Sequence, residues 1–156
     1  MSEPKTNVMR ILEKAEIPYK MHTYEAGETV DGVSAAAKIG RDVNEVFKTL
    51  VTKGKNDYFV FVIPVAEELD MKKAAKAVGE KSVEMLHVKD LNKVTGYIRG
   101  GCSPVGMKKL FKTVINETAV LLKTFIVSGG KIGFQIETAP EQLAKLINAD
   151  FFDIIV

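Results

Sequence analysis

One segment constrains the fold more than any other: every residue of Tyr58–Ile63 is apolar. A strand of this kind has no polar face to turn toward water, so both of its faces are covered. The preceding segment, Lys48–Thr52, also has strand character, and only a short link that includes Gly54–Asp57 separates the two. The sequence therefore predicts a hairpin whose second strand is buried inside the domain.

Hydrophobic periodicity and helix-ending residues place the helices. Val8, Ile11 and Leu12 fall on one helical face, and Pro18 ends that helix because the residue before proline is pushed out of the helical region. A loop is predicted at Gly27–Gly32. Further helices or helical turns are predicted at Ser34–Ile39, Asn44–Phe47, Asp70–Val78 and Val88–Val94, and after a capping box at Thr138–Glu141.

The remaining strands define the fold class. They are predicted at Tyr19–Tyr24, Ser82–Met85 and Phe152–Val156, and in a second hairpin of Lys123–Ser128 and Ile132–Glu137 that turns at Gly129–Gly130. Strands outnumber helices and often occur as hairpins, which favours an α+β fold over a Rossmann fold. We predict one domain over residues 1–156, with a mixed, mostly antiparallel sheet flanked by helices.

Composition excludes several classes of protein. A net charge of +2 argues against a general nucleic-acid coating protein, although it allows a local basic face. No apolar run reaches the roughly 18 residues of a membrane span, and Met1–Arg10 lacks an apolar signal region. With Cys102 as the one cysteine, no intramolecular disulfide can form, and we expect a cytoplasmic protein.

Common catalytic and cofactor motifs are missing from the sequence. His22, His87 and Cys102 are too far apart in the chain to form a paired zinc motif. There is no Walker A loop, no dinucleotide-binding glycine motif and no nucleophile elbow. Cys102 has no histidine close in sequence to activate it, which favours a packing role over a nucleophilic one. We therefore expect no metal and no cofactor.

Two glycine-rich segments could approach a ligand. Arg99–Gly106 could aim backbone N–H groups at a carbonyl oxygen that gains charge, and it is equally compatible with a plain turn. Ser128–Lys131 could also cup a ligand but is more typical of a hairpin turn. Lys108, Lys109 and Lys112 could meet phosphates, although they are more typical of a solvated helix face.

Lys48 differs from the other lysines in its surroundings. It stands between Phe47 and the start of a predicted strand, in an apolar context. An ammonium in a pocket there could hold a carboxylate, a phosphate or a carbonyl oxygen. On chemistry alone, a side chain that reaches out to water is the better interpretation.

Several short segments are informative because of the order in which they occur along the chain. They are Phe47–Leu50, Pro64–Ala66 with Leu69 and Asp70, Gly79–Met85, Thr95–Pro104 and Ser128–Lys131. In this order they resemble the Cys-tRNA(Pro) deacylase family, known as YbaK/EbsC, which is related to the editing domain inserted in some prolyl-tRNA synthetases. The resemblance covers nearly the whole chain and implies a single α+β domain with a curved mixed sheet.

The resemblance also implies the position of the site. It places the essential lysine of the family at Lys48, followed by Thr49, and a substrate-facing tyrosine at Tyr24. It places the substrate-binding loops at Gly100, Gly101, Cys102, Ser103 and Pro104 and at Ser128, Gly129 and Gly130. The implied partner is mischarged tRNA, with prolyl-tRNA synthetase as a candidate second partner, and neither a membrane nor DNA is expected to bind.

The family's reaction is hydrolysis of the ester that joins a wrong amino acid to the tRNA 3′ end. The main substrate is cysteine on proline tRNA, and cysteine on its own tRNA is a further candidate. The substrate thiol attacks its own ester carbonyl and leaves as a cyclic thioester, so the enzyme supplies placement and charge stabilisation. On this scheme Lys48 holds the tRNA end or the ester, while Gly100 and Gly101 face the carbonyl.

Two positions depart from the family pattern. Gln135 stands where some relatives have an aspartate; it can accept a hydrogen bond from an amine but brings no charge. The Gly27–Gly32 loop lacks the aromatic residue expected there. Two alternatives therefore stay open: editing of another small amino acid such as alanine, and a binding module that recruits RNA or a synthetase without turnover.

Overall fold

The computed structural model describes residues 5–25 and 31–156. Its α-helices are α1 (Asn7–Lys14), α2 (Gly32–Lys38), α3 (Met71–Ala77), α4 (Val88–Thr95) and α5 (Pro140–Ile147), with a 3-10 helix at Glu117–Leu121. Its strands are β1 (Lys20–Thr23), β2 (Phe47–Lys53), β3 (Tyr58–Pro64), β4 (Glu84–Met85), β5 (Lys112–Asn116), β6 (Phe125–Lys131), β7 (Phe134–Thr138) and β8 (Asp150–Phe152).

The strands form two sheets. The smaller sheet has the order β1-β7-β6 and is antiparallel, and the larger has the order β4-β2-β3-β5-β8 and is mixed. The predicted α+β class with a mostly antiparallel arrangement is confirmed. The sheets meet where Val46 bridges Ile126 in parallel and the Ile126 N–H donates to the Glu45 carbonyl at 2.9 Å. This link sets the start of β2 beside β6.

Strand β3 is covered on both faces, as its sequence predicts. Val62 faces a cluster that contains Phe47 and Phe125, whose rings pack edge to face at 5.3 Å, together with residues of α1 and α5. Phe61 and Ile63 face the opposite way, into a second cluster that includes residues of α3. Burial of large side chains on both faces fixes the register of the β2–β3 hairpin, because a one-residue slip would exchange the two faces.

Helix caps explain where two of the helices begin. Asp70 accepts hydrogen bonds from the backbone of Lys72 and Lys73, both at 3.0 Å, and α3 ends before Gly79, whose φ is +75°. The predicted helix at Asp70–Val78 is confirmed. Asp31 caps α2 by accepting from the Ser34 N–H at 2.8 Å. The predicted Gly27–Gly32 loop lies mostly outside the described residues.

The predicted capping box at Thr138–Glu141 is wrong. The Thr138 hydroxyl donates to the Pro18 carbonyl at 2.8 Å and so ties β7 to the segment before β1. Ala139 takes the N-cap position of α5 without a side-chain cap, and Pro140 occupies the first turn. The predicted helical turn at Asn44–Phe47 is also wrong at its end, because Phe47 is already the first residue of β2.

The turn of the second hairpin lies three residues further along the chain than predicted. Gly129–Gly130 lies within β6, where the register shifts between Ser128 and Lys131. The chain reverses at Ile132-Gly133 instead, and Gly133 has a φ of +88°. The glycine pair therefore forms a β-bulge, which bends the strand and re-aims its neighbours.

Two further expectations differ from the structure. Lys108 and Lys109 precede β5 in an irregular segment and Lys112 begins that strand, so the three lysines do not share a helix face. The last strand, β8, begins upstream of the predicted Phe152–Val156 and ends at Phe152, while Ile155 makes an isolated bridge to Leu69.

Candidate functional site

Strand alternation separates Lys48 from Thr49. Lys48 lies opposite Ile63 and Thr49 lies opposite Val62, so their side chains leave opposite faces of β2. Lys48 is partly exposed. The Thr49 hydroxyl is buried and has no hydrogen-bond partner among residues 5–25 and 31–156. The structure therefore assigns these two neighbours to different surroundings.

Four polar side chains form a row across four adjacent strands. Because Val46 bridges Ile126 in parallel, Lys48 and Ser128 come two residues later on the same face of their strands. Ser128 lies opposite Gln135 on β7, and Gln135 lies opposite His22 on β1. At about 4.8 Å between strands, the row spans roughly 15 Å. We refer to Lys48, Ser128, Gln135 and His22 as the polar row.

Two groups of the polar row lack partners among the residues that the structure describes. Within the described part of the chain, Lys48 has no carboxylate within ion-pair distance. Gln135 is 7% exposed, and its buried Oε1 accepts no hydrogen bond from any described residue. A buried acceptor without a donor costs free energy, which a ligand donor would recover. The row can hold a ligand that offers an N–H group at Gln135 and an oxygen at Lys48.

A buried ionic cluster supports one end of this row. Glu137 is 8% exposed and accepts hydrogen bonds from Arg41, Thr124 and His22. Arg41 also pairs with Glu45, so the cluster joins the segment before β2 to β1 and β7. Burial alone would raise the pKa of Glu137, but donors led by Arg41 outweigh it and lower the pKa to about 2.

Replacing Glu137 with glutamine should destabilise the protein in a pH-dependent way. A depressed pKa adds stability that is fully present above the ordinary value of 4.5 and is lost as the pH falls toward about 2. We expect Glu137→Gln to lower the free energy of unfolding at pH 7 by about 2 kcal/mol. The gap between variant and wild type should narrow below about pH 4 in denaturant titrations. A gap that is independent of pH would contradict this account.

The first glycine loop contains a tight turn. The Gly101 N–H donates to the Ile98 carbonyl at 2.9 Å, and Gly100, at the third position of that turn, has a φ of +87°. This is the arrangement of a type II turn, which favours glycine at that position. Since the Gly101 N–H is occupied, Gly100 is the member of the pair left to donate to a ligand. Cys102, Ser103 and Pro104 follow and are buried.

The two glycine segments lie against each other. A Cβ atom added to Gly101 would stand 3.1 Å from the Ile132 nitrogen and 3.3 Å from the Lys131 Cα, so only glycine permits this approach. Gly129 packs equally closely on the Phe134 carbonyl. The structure thus brings together two segments that are about 30 residues apart in sequence.

Cys102 lies in an apolar cluster with Val51, Val60 and Phe111. Burial raises the pKa of its thiol to about 12, partly offset by a hydrogen bond with Thr95. A thiol in this state is protonated at neutral pH and is a poor nucleophile.

The folded protein should therefore react slowly with thiol reagents. We expect an aromatic disulfide reagent at pH 8 to label Cys102 at least about 100-fold more slowly in the native protein than in denaturant. Comparable rates in the two states would show that the thiol is exposed and activated.

Tyr24 follows β1 near the turn of the second hairpin. Its N–H donates to the Gly133 carbonyl at 3.0 Å, and the Lys38 ammonium lies 5.8 Å from the centre of its ring. Tyr24 therefore stands between α2 and the β6–β7 hairpin, just beyond the His22 end of the polar row.

Sequence reasoning did not assign a role to His22, Arg41 or Glu137. Alternation along the predicted strands does place His22 on one face with Tyr24, and Gln135 on one face with Glu137. The pairing of those strands was not predictable from alternation. Residues 5–25 and 31–156 contain no cluster of three metal-ligating side chains, and no helix there is long and apolar enough to span a membrane.

Comparisons with known proteins agree on one family. The family model described as "Aminoacyl-tRNA editing domain" matches residues 26–146. A protein of Enterococcus faecalis named "Putative Cys-tRNA(Pro)/Cys-tRNA(Cys) deacylase EbsC" is 50% identical over 155 residues, covering 98% of this chain and 94% of the relative. A proline–tRNA ligase of Fervidobacterium nodosum is 31% identical over 91 residues, 58% of this chain and 16% of the ligase.

A solved structure shows the same fold. It is titled "Crystal structure of a putative trans-editing enzyme for prolyl tRNA synthetase". It superposes with a TM-score of 0.83 at 22% identity, and the match covers 98% of this chain and 99% of the other. At this identity the likeness speaks for the fold alone.

Proposed function

The chain belongs to the aminoacyl-tRNA editing domain family, and on that basis we propose that it is a trans-acting deacylase that removes cysteine from mischarged proline tRNA. The observation that carries the proposal is the 50% identity, over nearly the full length of both chains, to a relative whose name states that activity. The chain is an aminoacyl-tRNA deacylase, and tRNA is its substrate. Cysteine on its own tRNA is a second candidate substrate, as the same name states.

The polar row and the first glycine loop support a mechanism without a protein nucleophile. The substrate thiol attacks the ester carbonyl, the bond to the tRNA ribose breaks, and a cyclic thioester leaves. Lys48 holds the ester or the terminal phosphate by charge, and the Gly100 N–H stabilises the developing oxyanion. Cys102 is buried and protonated, which fits its absence from this scheme.

The other site residues have positioning roles in the proposal. Gln135 accepts a hydrogen bond from the substrate ammonium through Oε1, which has no donor within the described part of the chain, and Tyr24 borders the amino acid. Ser128 belongs to the polar row, and the bulge at Gly129–Gly130 sets the course of β6 just beyond it. Thr49, Ser103 and Pro104 act from behind the site, since the first lies on the opposite face from Lys48 and the other two are buried.

A panel of charged tRNAs tests the substrate assignment. Proline tRNA carrying cysteine, alanine or proline would be incubated with the protein, and the loss of each ester would be followed by acid precipitation. We expect the cysteine ester to be lost fastest and the cognate proline ester to survive. Preferential loss of alanine would transfer the assignment to alanine editing, which the uncharged Gln135 leaves open.

Prolyl-tRNA synthetase is the proposed second partner. The proline–tRNA ligase relatives contain a segment similar to this domain within a much longer chain. A separate chain of the same family would gain access to fresh product by binding the synthetase. Co-purification of the synthetase with the tagged protein, in the presence of proline tRNA, is the expected result.

A further inference from the structure

A carboxylate–imidazole pair lies at the end of the polar row opposite Lys48. The Nε2 atom of His22 is 2.8 Å from Oε1 of Glu137. The side chain of His22 is 23% exposed and that of Glu137 9%, so the histidine is the outer member and the glutamate lies behind it. This is the arrangement in which a buried carboxylate orients a histidine toward a reacting group.

The surroundings of Glu137 fix the tautomer of His22. Arg41 donates to Oε1 at 2.8 Å and to Oε2 at 3.2 Å, and Thr124 donates to Oε2. These donors keep the carboxylate ionised, so it accepts a hydrogen bond from the Nε2–H group and does not itself take up the proton. The neutral ring therefore carries its hydrogen on Nε2 and leaves the lone pair of Nδ1 available as a base.

The carboxylate–imidazole pair also lies beside Gln135, the buried acceptor of the polar row. His22 lies directly opposite Gln135, whose buried Oε1 has no donor among the described residues. A substrate whose ammonium meets Gln135 would have His22 on one side and, about 10 Å away across Ser128, Lys48 on the other. We propose that His22, oriented by Glu137, is the general base that activates the nucleophile of the deacylation. This inference rests on the proposed function.

In the proposed reaction His22 accepts one proton and later returns it. Nδ1 of His22 takes the proton of the substrate thiol, the sulfur forms a bond to the ester carbonyl carbon, and the carbonyl π pair moves onto oxygen. When that oxygen pair returns, the bond between the carbonyl carbon and the ribose oxygen breaks. The ribose oxygen takes the proton from His22, which returns to its neutral form. Water opens the released cyclic thioester to free cysteine.

Charged groups around the imidazole come from three elements. Glu137 on β7 contacts the imidazole directly. Arg41, on the segment between α2 and β2, shares that carboxylate and also pairs with Glu45. Lys20 and Tyr24 lie two residues before and after His22, on the same side of its own segment. Arg41 is already paired with both glutamates, and Lys20 is exposed. A general base acts only when it is unprotonated, so the rate should fall as the pH is lowered.

The variant His22→Gln distinguishes a role of His22 as a base from a purely structural role. The glutamine amide can donate to Glu137 as Nε2–H does, but it has no basic nitrogen. The matched control is His87→Gln, since His87 is exposed at the start of α4 and its side chain makes no cap bond. Single-turnover hydrolysis of Cys-tRNA(Pro) by each protein would be measured from pH 5 to 9, with thermal unfolding to confirm that both variants fold.

The proposal expects His22→Gln to lower the rate constant at pH 8 by about 100-fold and to abolish the acid limb of the profile. His87→Gln should match the wild type throughout. If the wild type turns over and His22→Gln has the same rate constant and pH profile, this inference is overturned while the proposed function stands. Absence of wild-type turnover on any cysteine-charged tRNA would overturn the proposed function, and the inference with it.

Discussion

Lys48→Ala should lower kcat/KM for Cys-tRNA(Pro) by at least about 100-fold, the usual effect of removing one charge-stabilising group from an active site. Lys48 brings to the polar row a cation that has no ion-pair partner among residues 5–25 and 31–156, in line with Ser128 and Gln135. Its removal takes away the charge that we propose holds the ester, but little packing, since its side chain is only partly buried. The measurement is deacylation under single-turnover conditions at several enzyme concentrations.

Lys53→Ala is the matched control for this experiment. Lys53 is the last residue of the same strand, is exposed and projects from the other face of β2. It should retain the wild-type rate within about twofold, as is usual for surface substitutions away from a site. If both variants lose activity equally, the charge at Lys48 has no special role and the site lies elsewhere.

Serine on proline tRNA should be hydrolysed at least about 100-fold more slowly than cysteine on the same tRNA, because an intramolecular nucleophile can be worth many orders of magnitude. Serine differs from cysteine only in carrying oxygen in place of sulfur, and a hydroxyl is far less acidic than a thiol, whose pKa is about 8.5. Rates would be compared at saturating enzyme, so that a difference in binding does not enter. Equal rates would remove the thiol-assisted step and point to attack by water.

The β2–β3 hairpin and helix α3 were predictable because their signals are local. An unbroken apolar strand, a short polar turn, an Asp cap and a terminal glycine each act within a few residues. The same local logic failed at Gly129–Gly130. Alone the pair favours a turn, but Gly129 packs on Phe134 across the hairpin and the chain reverses three residues later. Tertiary contacts decided between two conformations that glycine permits equally.

Strand β5 shows a second limit of local signals. Lys112–Asn116 pairs in parallel with both β3 and β8, and its residues from Thr113 onward are buried. Its short sequence mixes polar and apolar residues, so neither alternation nor an apolar run marks it. The Asn116 side chain is used instead as an acceptor for the Ile154 N–H at 3.1 Å. Parallel pairing joins segments distant in sequence, which composition does not reveal.

The residues of the site also form two groups, those that local motifs predict and those that only the fold brings together. The ordered motifs led to Lys48 and the glycine loops, because family resemblance acts on short contiguous segments. The cluster of His22, Arg41 and Glu137 joins three segments up to 115 residues apart. Only the pairing of β1 with β7 brings the histidine to the carboxylate.

The most direct test of the central claim is multiple turnover on Cys-tRNA(Pro). The protein would be mixed with a hundredfold excess of the charged tRNA, and free cysteine or its cyclic thioester would be counted against the amount of protein. We expect many product molecules per protein molecule, with the proline-charged tRNA left intact. A charged tRNA that is bound but never cleaved would show that this chain is a binding module and would contradict its assignment as a deacylase.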